Sequence, residues 1–218
     1  MNANPKAITI LCYGDSNTYG QKPDRDGRYA ADVRWTGVLQ KLLGEDFYVI
    51  EEGLGSRTTD LEYDKKPGRN GKTYLEPCLD SHNPLDVVVV MLGTNDLKID
   101  FHRSPEEVGK AIKGLVELTQ AKSKNLAGST SKIILVSPIL VDDTAPRFTE
   151  FYTGYYDHEA AVKSQQLSDV IKAVADELNC NFIDAASVAK PGVDGLHMNE
   201  ESNAPFAELL AKEIGELV

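Results

Sequence analysis

Asp86 leads into Val87-Val88-Val89-Val90-Met91-Leu92, an unbroken apolar run, mostly β-branched, that ends at Gly93-Thr94-Asn95-Asp96. A strand with one wet face alternates apolar and polar residues, whereas a central parallel strand covered by helices on both faces does not. Four further apolar runs lie around it, at residues 7–13, 47–52, 132–138 and 180–184. Helical patterns fill the intervals. Asp32 is placed to cap a helix through Val33, Val38, Leu39 and Leu42, with Gly44 as its stop. Ser104-Pro105-Glu106-Glu107 joins an N-cap serine, a first-turn proline and a capping-box glutamate, and Val108, Ile112, Leu115 and Leu118 follow on one face. The spacing predicts one helix over 158–178, a last helix carrying Phe206, Leu209, Leu210 and Ile214, and a short one over 73–81. Such alternation predicts a doubly wound α/β fold on a five-stranded parallel sheet. No repeat or linker divides the chain, so a single domain over 1–218 is expected.

The chain has 218 residues, of which 41% are hydrophobic and 26% charged, the proportions of an ordinary globular domain. Its 23 Lys and Arg against 34 Asp and Glu give a net charge of −11, which disfavours nucleic acid and anionic membranes as partners. Cys12, Cys78 and Cys180 are too few and too scattered for a disulfide framework or a zinc site. No stretch approaches the roughly 18 apolar residues of a membrane span. Residues 1–6 lack a basic segment leading into an apolar one, so a cytoplasmic location is expected.

In open α/β sheets, ligands bind beyond the carboxyl ends of the strands. Gly14-Asp15-Ser16-Asn17 follows the first run, Gly55 the second, Asn95 the third, and Asp194-Gly195-Leu196-His197 the fifth. All therefore gather at one edge of the sheet. Serine becomes a nucleophile when a base takes its proton, and a histidine base works best when a carboxylate holds its tautomer. Ser16, His197 and Asp194 supply these roles, the last two being three residues apart and able to touch on a turn. Each motif alone has a plainer reading. The first could be a turn into a helix, the third a strand-to-helix turn, and the last a turn aspartate beside a surface histidine. Asp15 sits too early to orient the histidine and is expected to bond the backbone of the serine loop. His82, His102 and His158 are given no role, no two histidines have the spacing of metal ligands, and neither metal nor cofactor is expected.

The joint pattern resembles the SGNH hydrolases, also called the GDSL esterase family. Four blocks carry the resemblance: Gly14-Asp15-Ser16, a glycine within Glu52-Gly53-Leu54-Gly55-Ser56-Arg57, Gly93-Thr94-Asn95-Asp96, and Asp194-x-x-His197. Asn17 stands where the family usually has leucine. Asp32-Val33-Arg34-Trp35-Thr36-Gly37 and Glu51-Glu52-Gly53-Leu54 look like the arylesterase-like branch, some members of which also perform perhydrolysis. The resemblance implies a flavodoxin-like three-layer α/β/α fold with strand order 2-1-3-4-5. It implies a serine esterase acting on small aryl, acetyl or other short-acyl esters through an acyl-enzyme, with acyl transfer or perhydrolysis as side activities. It also implies an oxyanion hole from the N–H groups of Ser16 and Gly55 and the Asn95 amide, and a homo-oligomer. Gly55 is favoured because a bare backbone can approach substrate closely, with Gly53 the weaker candidate. A carbohydrate acetylesterase is the nearest alternative. A flavodoxin-like protein cradling phosphate or flavin on Ser16-Asn17-Thr18-Tyr19-Gly20 is another, but it leaves Asp194 and His197 unexplained. Five aromatics in the long segment 139–157 (Phe148, Phe151, Tyr152, Tyr155 and Tyr156) either wall a pocket or pack against the body or a neighbouring subunit.

Overall fold

The computed structural model describes residues 4–218, so the start of the expected 1–218 domain, and of the segment read above for a targeting signal, lies outside the described residues. The strands are β1 (Ile8–Gly14), β2 (Phe47–Gly53), β3 (Val87–Met91), β4 (Lys132–Ser137) and β5 (Asn181–Asp184). They pair in parallel in the order β2-β1-β3-β4-β5, the order expected. Each strand end falls within one residue of the run read from the sequence.

β3 is buried at every position, and its side chains divide between two cores by strand periodicity. Val88 and Val90 face helices α3 (Gly71–His82), α4 (Pro105–Lys122) and α7 (Leu167–Leu178), meeting Leu75, Leu79, Ile112, Leu115 and Ile171. Val87, Val89 and Met91 face α2 (Trp35–Leu43) and α8 (Glu200–Leu217), meeting Trp35, Leu39, Phe206 and Leu210. Trp35 and Phe206 lock these two helices edge to face, with ring centroids 5.1 Å apart. The remaining short helices are α1 (Ser16–Tyr19), α5 (Phe148–Tyr152) and α6 (His158–Ser164), all near the carboxyl edge of the sheet. Among the described residues no helix is long and apolar enough to cross a membrane.

Two helix expectations are corrected. Asp32 does not cap α2: residues 32–34 form a turn in which Val33 and Arg34 both donate to Ala30 O, and the helix begins at Trp35. Its first N–H is satisfied from another helix instead, by Asn203 Oδ1 of α8 at 3.0 Å. The predicted helix 158–178 is two helices, α6 and α7. Ser164 Oγ donates to Ala161 O at 2.7 Å and accepts from Val141 N at 3.0 Å, so its side chain competes with the helical ladder where α6 stops. The Gly44 stop and the Ser104 capping box form as read, and the 73–81 helix extends to Gly71–His82 behind an Asn70 cap.

Gly53 is where the sheet seats α1. A Cβ there would lie 2.1 Å from Tyr19 N and 2.5 Å from Thr18 C, both backbone atoms with no rotamer to escape into. Gly53→Ala should therefore push α1 off the end of β2, destabilising the chain by about 1–3 kcal/mol, or a few °C of Tm, and lowering turnover of any substrate of Ser16. Thermal unfolding and kinetics on the same preparation check this; an unchanged Tm with full activity contradicts the close packing.

Candidate active site

Ser16 is the first residue of α1. Asp15 caps that helix, Oδ1 accepting from Asn17 N at 2.9 Å, as expected of a backbone-bonding aspartate. His197 arrives on the turn that precedes α8. Asp194 folds this turn by accepting from Leu196 N at 3.0 Å and His197 N at 2.9 Å through Oδ1. Gly195 has φ +74°, and a Cβ there would meet Asp142 O at 2.0 Å, so the turn needs glycine. The other carboxylate oxygen, Oδ2, lies 2.6 Å from His197 Nδ1, and His197 Nε2 lies 2.9 Å from Ser16 Oγ. These partners assign the Nδ1–H tautomer and leave the Nε2 lone pair for the serine hydroxyl. Burial pushes the Asp194 carboxyl upward, but the bonds from His197 and the two backbone N–H groups outweigh it and hold it below the usual aspartate value.

Asn95 stands in a short helical turn after β3, with its amide fixed on both sides. Nδ2 donates to Asp15 Oδ2 at 3.1 Å, and Oδ1 accepts from Tyr156 OH at 3.2 Å and from Lys98 Nζ. One Nδ2 hydrogen remains to meet a ligand. Gly55 lines the same pocket, and neither its N–H nor that of Ser16 bonds another protein group among the described residues. Gly53, the weaker candidate, is half-buried with its Cα packed against the backbone of α1, and it does not line the pocket. The structure thus brings Ser16, His197, Gly55 and Asn95 together around a cavity of about 370 Å³, with Asp194 buried behind His197. A larger hollow, about 970 Å³, lies beside α2 and β2; Arg34, Gln40 and Glu51 line it, without a nucleophile–base pair.

Four functional contacts had no local signal in the sequence. Asn17, read only as a departure from leucine, clamps the histidine turn: its Oδ1 accepts from Met198 N at 2.8 Å and its Nδ2 donates to Leu196 O at 3.2 Å. Tyr152 OH donates to Asp194 Oδ2 at 2.8 Å. Arg57 is buried under the serine loop and donates through Nη1 to Gly14 O at 2.7 Å. Lys98 is buried between the rings of Tyr63 and Tyr156, at 5.3 and 5.2 Å from their centroids. Of the five loop aromatics, Phe151, Tyr152, Tyr155 and Tyr156 line the pocket, while Phe148 packs into the core. Among the described residues, one group of potential metal ligands converges elsewhere: Glu52, Cys78 and His82, with ligand atoms within 4.8 Å of one another. None of the three lines the pocket, and burial pushes the Cys78 thiol up to about 12.

A nucleophile–base–carboxylate chain beside a pocket that also carries Gly55 and the Asn95 amide can open an acyl bond and hold the oxyanion that forms. The chain matches the GDSL-like lipase/acylhydrolase family over residues 12–204. No significant match appears among curated proteins. An inhibitor-bound aryl esterase of M. smegmatis is similar in structure, at 39% identity and a TM-score of 0.89, over 97% of this chain and 100% of that one. Est24, a carbohydrate acetylesterase of Sinorhizobium meliloti, is similar at 35% identity and a TM-score of 0.88, over 96% of this chain and 99% of that one.

Lys98 generates a test that does not depend on activity. Burial lowers its pKa from 10.5 to about 7, against the opposing pull of Asp96, Asp15 and Asp100 and with a small push from Lys66. Between those values the unfolded chain binds the proton that the folded chain has released, so this position adds stability as pH rises. Relative to Lys98→Met, the wild type should gain unfolding free energy from about pH 7 to about pH 10, measured by urea unfolding. A difference that stays flat or moves the other way contradicts a desolvated lysine.

Proposed function

The chain belongs to the GDSL-like lipase/acylhydrolase family and is a carboxylic ester hydrolase, and from that premise we propose that it cleaves small esters of short acyl groups through an acyl-enzyme on Ser16. The observation that carries this reading is the continuous hydrogen-bond chain Ser16–His197–Asp194 at the floor of the pocket. His197 Nε2 takes the Ser16 proton as Oγ attacks the ester carbonyl, and Asp194 keeps the imidazolium oriented without itself being protonated. The oxyanion develops between the N–H groups of Ser16 and Gly55 and the free Nδ2 hydrogen of Asn95. Donors already fixed in place lose no free energy to reorganisation as the charge appears, so they lower the barrier rather than merely bind substrate. His197 then protonates the leaving alcohol, and water releases the acyl group. A different alcohol or hydrogen peroxide in place of water gives a new ester or a peracid by the same steps.

Aryl and sugar acetates both fit this chemistry. The aryl esterase reading is supported by the 39% identical M. smegmatis enzyme, and the sugar acetate reading by Est24. The phosphate- or flavin-cradling alternative has less support, because Asp15 and Asn17 are already engaged with protein groups and His197 fills the space beside Ser16. We place one catalytic domain over 1–218, assembling as a homo-oligomer; the mass of the native protein in solution tests the assembly.

Ser16→Ala and His197→Ala should each lower kcat on an activated acetate ester by about 10³-fold or more, and the double variant should lose little beyond either single one. Additive losses, or a folded Ser16→Ala protein that retains activity, would show that the pair is not a unit. Acyl length provides the second check. Each added methylene that finds no apolar wall forgoes roughly 0.8 kcal/mol, and beyond its aromatic rings the pocket offers Lys65, Lys66, Arg25 and Gln21 rather than an extended aliphatic groove. Across a nitrophenyl ester series, kcat/KM should peak between acetyl and butyryl and fall steeply by octanoyl; a maximum at octanoyl or beyond points to lipase or thioesterase chemistry instead.

A further inference from the structure

The pocket mouth carries a charge pattern opposite to that of the chain. Acidic side chains outnumber basic ones 34 to 23, a net −11, yet Arg25, Lys65, Lys66 and Lys98 line the cavity above Ser16 and, among the described residues, no aspartate or glutamate does. The acids nearest the site are committed to other partners behind its wall. Asp15 is held by Asn17 and Asn95, Asp194 by His197 and Tyr152, and Asp96 by Thr59 and Arg103. The four cations differ in how free they are. Lys98 is buried and engaged with Asn95, and Lys65 pairs with Asp100.

Arg25 and Lys66 remain. Both are exposed, and among the described residues neither has a carboxylate at ion-pair distance. Arg25 lies over the rings of Phe151 and Tyr152, 5.2 and 5.3 Å from their centroids, and Lys66 Nζ donates to Ser56 Oγ at 3.2 Å. Rings and hydroxyls fix the position of a cation without neutralising it. Ser56 follows Gly55, so Lys66 is fixed beside the donors proposed for the oxyanion, and Arg25 is fixed beside the wall that carries Tyr152.

We propose that the esters this enzyme prefers carry a negative charge, a carboxylate or a comparable anionic oxygen group, received by Arg25 and Lys66 while the ester carbonyl sits at Ser16. This deepens the esterase reading above and rests on it. The field of a chain with net −11 repels an anion at long range, so the preference depends on short-range contact with these two side chains and is weakened by salt. Two solvent-facing ion contacts support a selectivity of about three- to thirtyfold.

The test reads a ratio in which intrinsic ester reactivity cancels. 4-Acetoxybenzoate against methyl 4-acetoxybenzoate puts the charge on the alcohol half, and mono-4-nitrophenyl adipate against 4-nitrophenyl hexanoate puts it on the acyl half. For each pair, kcat/KM for the charged ester over the neutral one is measured in the wild type, Arg25→Gln, Lys66→Gln and the double variant. The double variant should lower this ratio about three- to thirtyfold on one arm, which identifies the charged half, and added salt should narrow the gap between wild type and double variant on the same arm. Should Arg25→Gln disturb the aromatic wall, Lys66→Glu carries the test alone, since charge reversal should lower the ratio further than Lys66→Gln. Ratios equal in wild type and variants on both arms overturn the proposal, whatever their dependence on salt. The esterase reading is judged apart from it, by whether Ser16→Ala loses turnover of the neutral esters.

Discussion

The side chain of Asn17 closes a peptide-like pair of hydrogen bonds on the histidine turn, with Leu196 O and Met198 N, partners 179 and 181 positions away in the chain. Ser16 and His197, the proposed nucleophile and base, stand on separate segments, and a displacement of about 1 Å between such groups is enough to cost two orders of magnitude in rate. The Asn17 amide removes that freedom. Its own backbone is fixed in turn, since Asn17 O accepts from Trp35 Nε1 at 3.0 Å and Trp35 is wedged against Phe206 of α8. The tetrapeptide Gly14-Asp15-Ser16-Asn17 thus works as a hub. Arg57 holds Gly14 O, Asp15 reaches Asn95, Asn17 reaches the Asp194 turn, and Ser16 is left free between them to react.

Holding the hub together requires buried charge, which is expensive unless each group is answered. Asp15 is pushed above the usual aspartate value by burial and Lys98 below the usual lysine value, so neither is there for stability. What the arrangement gains is orientation. An asparagine amide can flip; here Lys98 and Tyr156 donate to Oδ1 while Asp15 accepts from Nδ2, and only one orientation satisfies all three. The amide therefore presents a donor, not an acceptor, to the cavity. In a low-dielectric site that choice of sign decides whether the group stabilises an oxyanion or repels it.

The parts legible in the sequence are those with short-range causes. β3 was readable because a strand buried on both faces leaves an unbroken apolar run, and Asp194-x-x-His197 because one residue folds the turn that carries the other. Gly55 differs from Gly53 in lining the pocket and in having open space where Gly53 meets the backbone of α1, which the sequence could not show. The contacts of Asn17, Tyr152, Arg57 and Lys98 were not readable, since their partners or surroundings are brought up by the fold and follow no period. The same reason explains the start of α2, where the cap comes from Asn203 rather than from Asp32 nearby. Ser164 is different. Its break was written in the sequence as Ser164-Gln165-Gln166, but apolar spacing on both sides masked it until its bond to Val141 N became visible.

The walls of the pocket are not independent of its floor. Tyr152 and Tyr156 both come from the aromatic stretch that shapes the cavity, and their hydroxyls reach Asp194 and Asn95 respectively. Tyr152 OH shares Asp194 Oδ2 with His197 Nδ1, so it helps fix the carboxylate oxygen on which the imidazole is aligned. The rings set the size and chemistry of what can enter, while the hydroxyls set the geometry of the groups that act on it. Reshaping the cavity at either tyrosine therefore changes the geometry around Asp194 and Asn95 as well as the selection of substrate, and Arg25, which lies against Tyr152, is tied to that geometry, whereas Lys66, held by Ser56, leaves selection adjustable from the rim.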